Sequence, residues 1–183
     1  MRYSDITEAD LATLAHLLPR RAADLVRVVG AADAAALLNA LPGVVFVVPK
    51  RAAVRDGSFA AHRGAARRWK TLCSVVSAGA AEAIAGYYGG NALEVPTCHQ
   101  LRVEKRNRWL RERFDALTST RQAAPGVRAM SRTQAVYELG LELVERWGEA
   151  MSAQGIENAL DSTGPAAASR RTGPASAQTE LFS

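Results

Sequence analysis

Gly30-Ala31-Ala32-Asp33-Ala34 leads through Leu41-Pro42-Gly43 into Val44-Val45-Phe46-Val47-Val48-Pro49, and a second version follows later in the chain. That version is Gly79-Ala80-Ala81-Glu82-Ala83, then Tyr88-Gly89-Gly90, then Ala92-Leu93-Glu94-Val95-Pro96. Each reads as an alanine-rich helix, a glycine stop, a short strand and a proline. Alanine has the highest helix propensity, and its small side chain lets helices pack closely. Val44 to Val48 is apolar and mostly β-branched, the pattern of a buried strand. Pro49 ends the pairing because it has no N–H for a ladder. The second strand, Asn91 to Val95, is less apolar, and Glu94 marks one face as solvent-exposed. Gly89, Gly90 and Asn91 read as a turn that needs positive φ. Asp33 and Glu82 hold matching places in the two helices and are expected on their solvent faces. The repeats, at 30–49 and 79–96, make the fold mainly α with a short strand region.

Working outward, residues 6–18 read as a helix capped by Thr7, with Glu8 and Asp10 in its first turn. Residues 21–29 form a second helical stretch. The repeat is interrupted over 50–71 by a basic segment, part of it helical from about Ser58. The second repeat helix is expected over 74–88. Residues 97–115 read as a basic helix with Leu101, Trp109, Leu110 and Phe114 as its apolar positions. Pro125-Gly126 breaks any helix between Leu117 and Met130. Ser131 then caps an amphipathic helix in which Val136, Leu139, Leu143, Val144 and Trp147 recur at helical spacing. Gly148 ends it, Ser152 caps a short last helix to Leu160, and the Ser/Ala/Gly/Pro-rich residues 161–183 read as a disordered tail.

The chain has 183 residues, a net charge of +5 and a pI of about 9.7. The charge is unevenly placed. Lys50 to Lys70 holds seven Lys/Arg against Asp56 alone, and Leu101 to Arg132 holds nine against Glu104, Glu112 and Asp115. Such clustering is the footprint of a polyanion-binding protein. The two cysteines, Cys73 and Cys98, show neither metal-ligand spacing nor a secretory disulfide framework, so a reduced, cytoplasmic setting is expected. No signal peptide or membrane span is expected. Cys98-His99 lacks the base and oxyanion site of a nucleophile and the four ligands of a zinc site. The expectation is therefore no enzyme, no cofactor and no metal.

Several of these residues carry a family likeness. Tyr88-Gly89-Gly90, Val95-Pro96, Asn107-Arg108 and Arg111-Glu112-Arg113-Phe114-Asp115, with Met151-Ser152-Ala153-Gln154-Gly155-Ile156-Glu157-Asn158-Ala159-Leu160, resemble the Mor transcription activator family, the middle-operon regulators of Mu-like phages and prophages. The likeness covers about residues 25–160. It implies a helix-and-strand dimerisation region over 1–96 that pairs two chains into a homodimer. It also implies a helix-turn-helix-like DNA-binding domain over 97–160, and a regulator that acts beside a promoter and assists RNA polymerase. Between Phe114-Asp115 and the long helix, and again from Gly140 to Ser152, the chain is longer than the family pattern. The small residue packed between the two helices is expected to be Gly140. A second register places the turn at Met130 to Gln134 and makes 131–147 the reader, but Pro125-Gly126 breaks the helix that would precede it.

With 152–160 as the reader, the base-reading candidates are Ser152, Gln154, Glu157 and Asn158. Gln and Asn can pair with adenine and Glu can accept from cytosine, while Ile156 and Leu160 face the core. That helix has no Lys or Arg, so phosphate contacts must come from elsewhere. The candidates are Arg102, Lys105, Arg106, Arg108, Arg111, Arg113, Arg128 and Arg132, some of which can instead pair with Glu104, Glu112 and Asp115. Arg67-Arg68-Trp69-Lys70 is either a further phosphate patch or a plain basic face. Gly89, Gly90 and Asn91 are either a simple turn or a close approach to DNA. The partners expected are double-stranded DNA, a second copy of the chain and RNA polymerase, with no membrane. Two other readings are a degenerate Mor-like dimer that binds partners or nucleic acid non-specifically, and a small nucleic-acid-processing enzyme.

Overall fold

The computed structural model describes residues 5–58, 63–119 and 128–162, with Arg63 and Ala65 as backbone only. The expected tail lies outside the described residues from 163 onward. Among the described residues the fold is mainly helical, with one two-stranded sheet. The elements are α1 (Glu8–Thr13), a 3-10 turn (Ala15–Leu17), α2 (Arg20–Ala40), β1 (Val45–Val47), α3 (Arg51–Asp56), α4 (Arg63–Cys73), α5 (Ala78–Tyr88), β2 (Ala92–Glu94), α6 (His99–Thr118), α7 (Arg132–Trp147) and α8 (Ala153–Asp161). The chain divides into two compact units, residues 1–105 and 106–183, and α6 supplies residues to both. None of the helices described is long and apolar enough to cross a membrane.

In the first unit the caps form where the residue types place them. The Thr7 hydroxyl accepts from the Asp10 N–H, and the Asp10 carboxylate accepts from the Thr7 N–H, a reciprocal capping box. The stretch from Arg20 to Ala40 is hydrogen-bonded as one helix but has a break at Gly30, where φ is 82° and ψ is 168°. Only glycine occupies that region at low cost. The break therefore separates 20–29 from 31–40, where the sequence had two stretches.

The repeat is longer than its sequence signature, and its spacing is 47 residues. β1 and β2 pair antiparallel, with Phe46 opposite Leu93 at the centre and Val45–Glu94 and Val47–Ala92 on either side. The flanking bonds come in matched couples. Gly43 N–H donates to the Val95 carbonyl (2.7 Å), and Gly90 N–H donates to the Val48 carbonyl (2.9 Å). Val48 N–H donates to Asn91 (3.0 Å), and Val95 N–H donates to Val44 (2.9 Å). Replacing each residue by the one 47 positions away turns one bond of a couple into the other. Gly43 and Gly90, which share that relation, both have positive φ, at 76° and 85°.

The same offset carries through the helices. Leu25 and Leu72, Ala34 and Ala81, and Leu37 and Ile84 are buried mates. Arg20-Arg21 matches Arg67-Arg68, and Val28-Val29 matches Val75-Val76. The unit thus spans about 20–56 and 67–103, helix–helix–strand–helix, and α2 packs against α5. By residue type alone Gly30 is the counterpart of Gly79. The structure aligns Gly30 with Ser77, the N-cap of α5. Asp33 and Glu82 are therefore not equivalent: Asp33 accepts from the Ser77 N–H (2.7 Å) and hydroxyl (2.8 Å), while Glu82 is exposed.

Three other expectations change. Val44 to Val48 is not buried throughout, since Phe46 and Val48 are covered while Val45 and Val47 are about half exposed; a two-stranded ribbon has only one face against the core. Over 50–71, where helix is expected only from about Ser58, α3 already starts at Arg51, and α4 starts at Arg63. The expected helix over 74–88 begins at Ala78, because Val75 and Val76 close the end of α4.

In the second unit Leu110, Val136, Leu139, Leu143, Ile156 and Ala159 form a core of their own, with Trp109, Phe114 and Trp147 partly buried against it. Ser131 caps α7 in a capping box with Gln134. Gly148 closes α7 in the left-handed conformation (φ 66°), and Ser152 caps α8. Val144, expected in the core, is instead exposed with Tyr137 and Leu141, on the side of α7 away from Leu139 and Leu143.

Candidate nucleic-acid interface

The helix pair of the second unit brings the candidate reading residues onto one short helix. Ile156, fully buried, seats α8 on α7, and a Cβ added at Gly140 would lie 3.6 Å from its Cδ1. Gly140 is thus the small residue between the two helices. Of the four candidates, Gln154 and Asn158 are exposed one turn apart, with the Gln154 amide donating to Asn158 Oδ1 (3.3 Å). A pair of amides so placed can exchange that mutual bond for base edges at small cost. Ser152 is exposed, but its hydroxyl accepts from the Gly155 N–H (3.1 Å), so it holds the helix start. Glu157 is half-buried and lies 4.0 Å from Arg132.

Most of the candidate phosphate-binding cations serve the fold. Arg102 donates to the Leu38 carbonyl (2.8 Å) and the Thr97 carbonyl (3.2 Å). Lys105 holds Asp10 at 2.7 Å and also reaches the Asp5 carbonyl. Arg106 pairs with Glu149 at 3.0 Å. Arg111 donates to the Ser162 and Ala159 carbonyls, closing the end of α8, where a cation also suits the helix dipole. Arg113 grips Glu142 with two nitrogens at 2.6–2.9 Å. Arg132 pairs with Asp161 at 3.1 Å and lies over the Phe114 ring at 5.6 Å. Lys105, Arg106, Arg113 and Arg132 find acids on other elements, namely Asp10, Glu149, Glu142 and Asp161. Asp161, placed in the tail by its sequence, is the last residue of α8. Only Arg108 and Arg128 of the eight are exposed without an intramolecular partner among the described residues.

A larger set of open cations lies in the first unit. Lys50, Arg51, Arg55, Arg67, Arg68 and Lys70 are exposed, and no acid is paired with them among the described residues. Trp69, read as part of a possible patch, is instead buried in the core. The repeat explains part of the imbalance. Arg21 is paired with Glu94, and the mates of these two are Arg68 and Val47. The second cation therefore stands where its matching acid is a valine. Sequence spacing alone could not separate open from engaged cations, because the neutralising acids are distant in the chain.

Gly89 and Gly90 make the expected turn, with positive φ at Gly90 only. The close approach at Gly89 is to the chain itself: a Cβ there would collide with the Ala85 carbonyl oxygen and lie 3.3 Å from Lys50 Cα. No family model, curated protein or solved structure matches the chain. Cys98 is buried, and burial pushes its thiol up, away from the thiolate a nucleophile needs; partial desolvation also raises the thiol of Cys73, which is exposed. Among the described residues no group of His, Cys, Asp and Glu is placed to hold a metal ion.

Proposed function

We propose that the chain is a sequence-specific DNA-binding protein, a Mor-like transcription regulator of a phage or prophage that acts on double-stranded DNA and, at a promoter, with RNA polymerase. The observation that carries this reading is the α7–α8 pair. A helix ending in left-handed Gly148, a small residue at Gly140 beneath Ile156, and a capped short helix with Gln154 and Asn158 outward support reading the pair as a helix-turn-helix-like unit. Such units place the second helix in the major groove. Arg108 and Arg128 are open for phosphate among the described residues of that unit.

A second reading is favoured by a different observation. Lys50, Arg51, Arg55, Arg67, Arg68 and Lys70 stand open in the first unit, whereas Arg106, Arg113 and Arg132 of the second unit are spent on Glu149, Glu142, Glu157 and Asp161. That balance suits binding to the nucleic-acid backbone without base preference.

One experiment separates the two. Purified protein is mixed with sheared DNA from its own genome at near-physiological salt with competitor, and the retained fragments are sequenced. A narrow set of fragments upstream of phage-like genes is expected, lost when Gln154→Ala is combined with Asn158→Ala. Uniform recovery, unchanged by those substitutions, would leave only backbone binding.

A further inference from the structure

We propose that the first unit is a dimer fused into one chain, and that the protein works as a monomer carrying one DNA-reading arm. The second half of this statement rests on the DNA-binding reading; the first half does not.

In a two-fold homodimer every interface contact occurs twice, residue i to residue j and residue j to residue i. The ribbon has that property inside a single chain. Its flanking hydrogen bonds come in couples related by the 47-residue offset, and Phe46 and Leu93, the central pair, are mates of each other. A two-stranded ribbon of three-residue strands is marginal without support. Here the support is also duplicated, as the α2 and α5 segments bury their mates Leu37 and Ile84 together in one core. The pairing that a partner's repeat would supply is already made within the chain.

The duplication is broken at one place. After β1, α3 runs only from Arg51 to Asp56 and stops at Gly57 in the left-handed conformation (φ 72°). After β2, the matching helix α6 runs from His99 to Thr118 and continues into the second unit. Val54 and Leu101, mates in these two helices, both pack on the core, so the helices start alike and differ in where they end. One copy keeps its arm; in the other the chain turns back to begin the next repeat. A homodimer with an arm on each chain presents two reading helices to a palindrome. This chain presents one, so its target is a single, non-palindromic half-site.

The test has two parts. Sedimentation equilibrium of the full chain at micromolar concentration is expected to give the monomer mass of 19.5 kDa. In a Cys73→Ser background, Val45→Cys with Glu94→Cys places thiols on directly opposed residues, and oxidation is expected to give an intrachain disulfide that migrates as monomer. A disulfide-linked dimer would overturn the fused pairing, and a dimer mass would overturn the monomeric state. Titration of a retained genomic fragment is expected to saturate at one chain per site, with protection lacking a dyad. Two chains on a dyad would overturn the one-armed reading. A monomer that retains no specific fragment would uphold the fused dimer and sink the DNA-reading proposal instead.

Discussion

Asp10 joins a helix cap to an ion pair. Burial acts to raise its carboxyl, but the Lys105 ammonium and the Thr7 hydroxyl and N–H outweigh it, and the pKa lies below the ordinary carboxylate value. A depressed folded pKa contributes stability that is complete above the unfolded value, near 4, and is lost as pH falls through the folded value. Asp10→Asn is expected to cost about 1–2 kcal/mol at pH 7 and to flatten the acid limb of the stability profile below about pH 4. Thermal melts of both proteins from pH 7 to pH 2 check this; parallel acid limbs would rule it out. Gly30 and Gly79 supply a second residue-scale contrast. Gly30→Ala forces a side chain into φ 82°, ψ 168° and is expected to cost about 1–3 kcal/mol. Gly79 has open space around it within α5, so Gly79→Ala is expected to be neutral or to stabilise by up to about 1 kcal/mol. Equal effects in denaturant melts would mean that the repeat aligns these two glycines after all. The chain's letters offered both as the same residue, since backbone conformation is not written in residue type.

At the scale of elements, the caps were legible. Thr7, Ser131 and Ser152 all cap the helices their sequence positions suggested, because an N-cap needs only a short polar side chain and the next few N–H groups. The front half of the repeat was not legible. Ala22-Ala23-Asp24 and Trp69-Lys70-Thr71 share no side chain, yet Ala22 and Trp69 are buried mates. Packing fixes the position and not the residue. The fit of α8 on α7 gives the prediction at this scale. Gly140→Ala meets Ile156 at ordinary contact distance and is expected to be tolerated. Gly140→Leu is expected to overpack the seat and cost about 1–3 kcal/mol, with loss of amide protection in residues 153–161. Hydrogen exchange on both variants decides it: retained protection in the leucine variant would mean that α8 does not depend on this seat.

Over the whole molecule, what matters is where charge is left over. If nucleic acid is held by the open cations, replacing Arg67, Arg68 and Lys70 together by alanine should reduce the log–log salt slope of binding by about 2–3. Arg113→Met should leave the slope unchanged, because that guanidinium is already spent on Glu142. Binding isotherms across a salt series test this, and the opposite pattern would place the contacts on α6. By itself the sequence determined the mainly helical class, the repeated helix and strand, the helix caps at Thr7, Ser131 and Ser152, and the basic clustering. These follow from propensity, periodicity, local capping and composition, which act within a few residues. Only the tertiary structure decided that the repeat runs at 47 residues, that its strands pair within one chain, and which cations stay open. Those outcomes depend on contacts between residues far apart in the chain, such as Lys105 with Asp10 and Gly43 with Val95, and no local pattern encodes them.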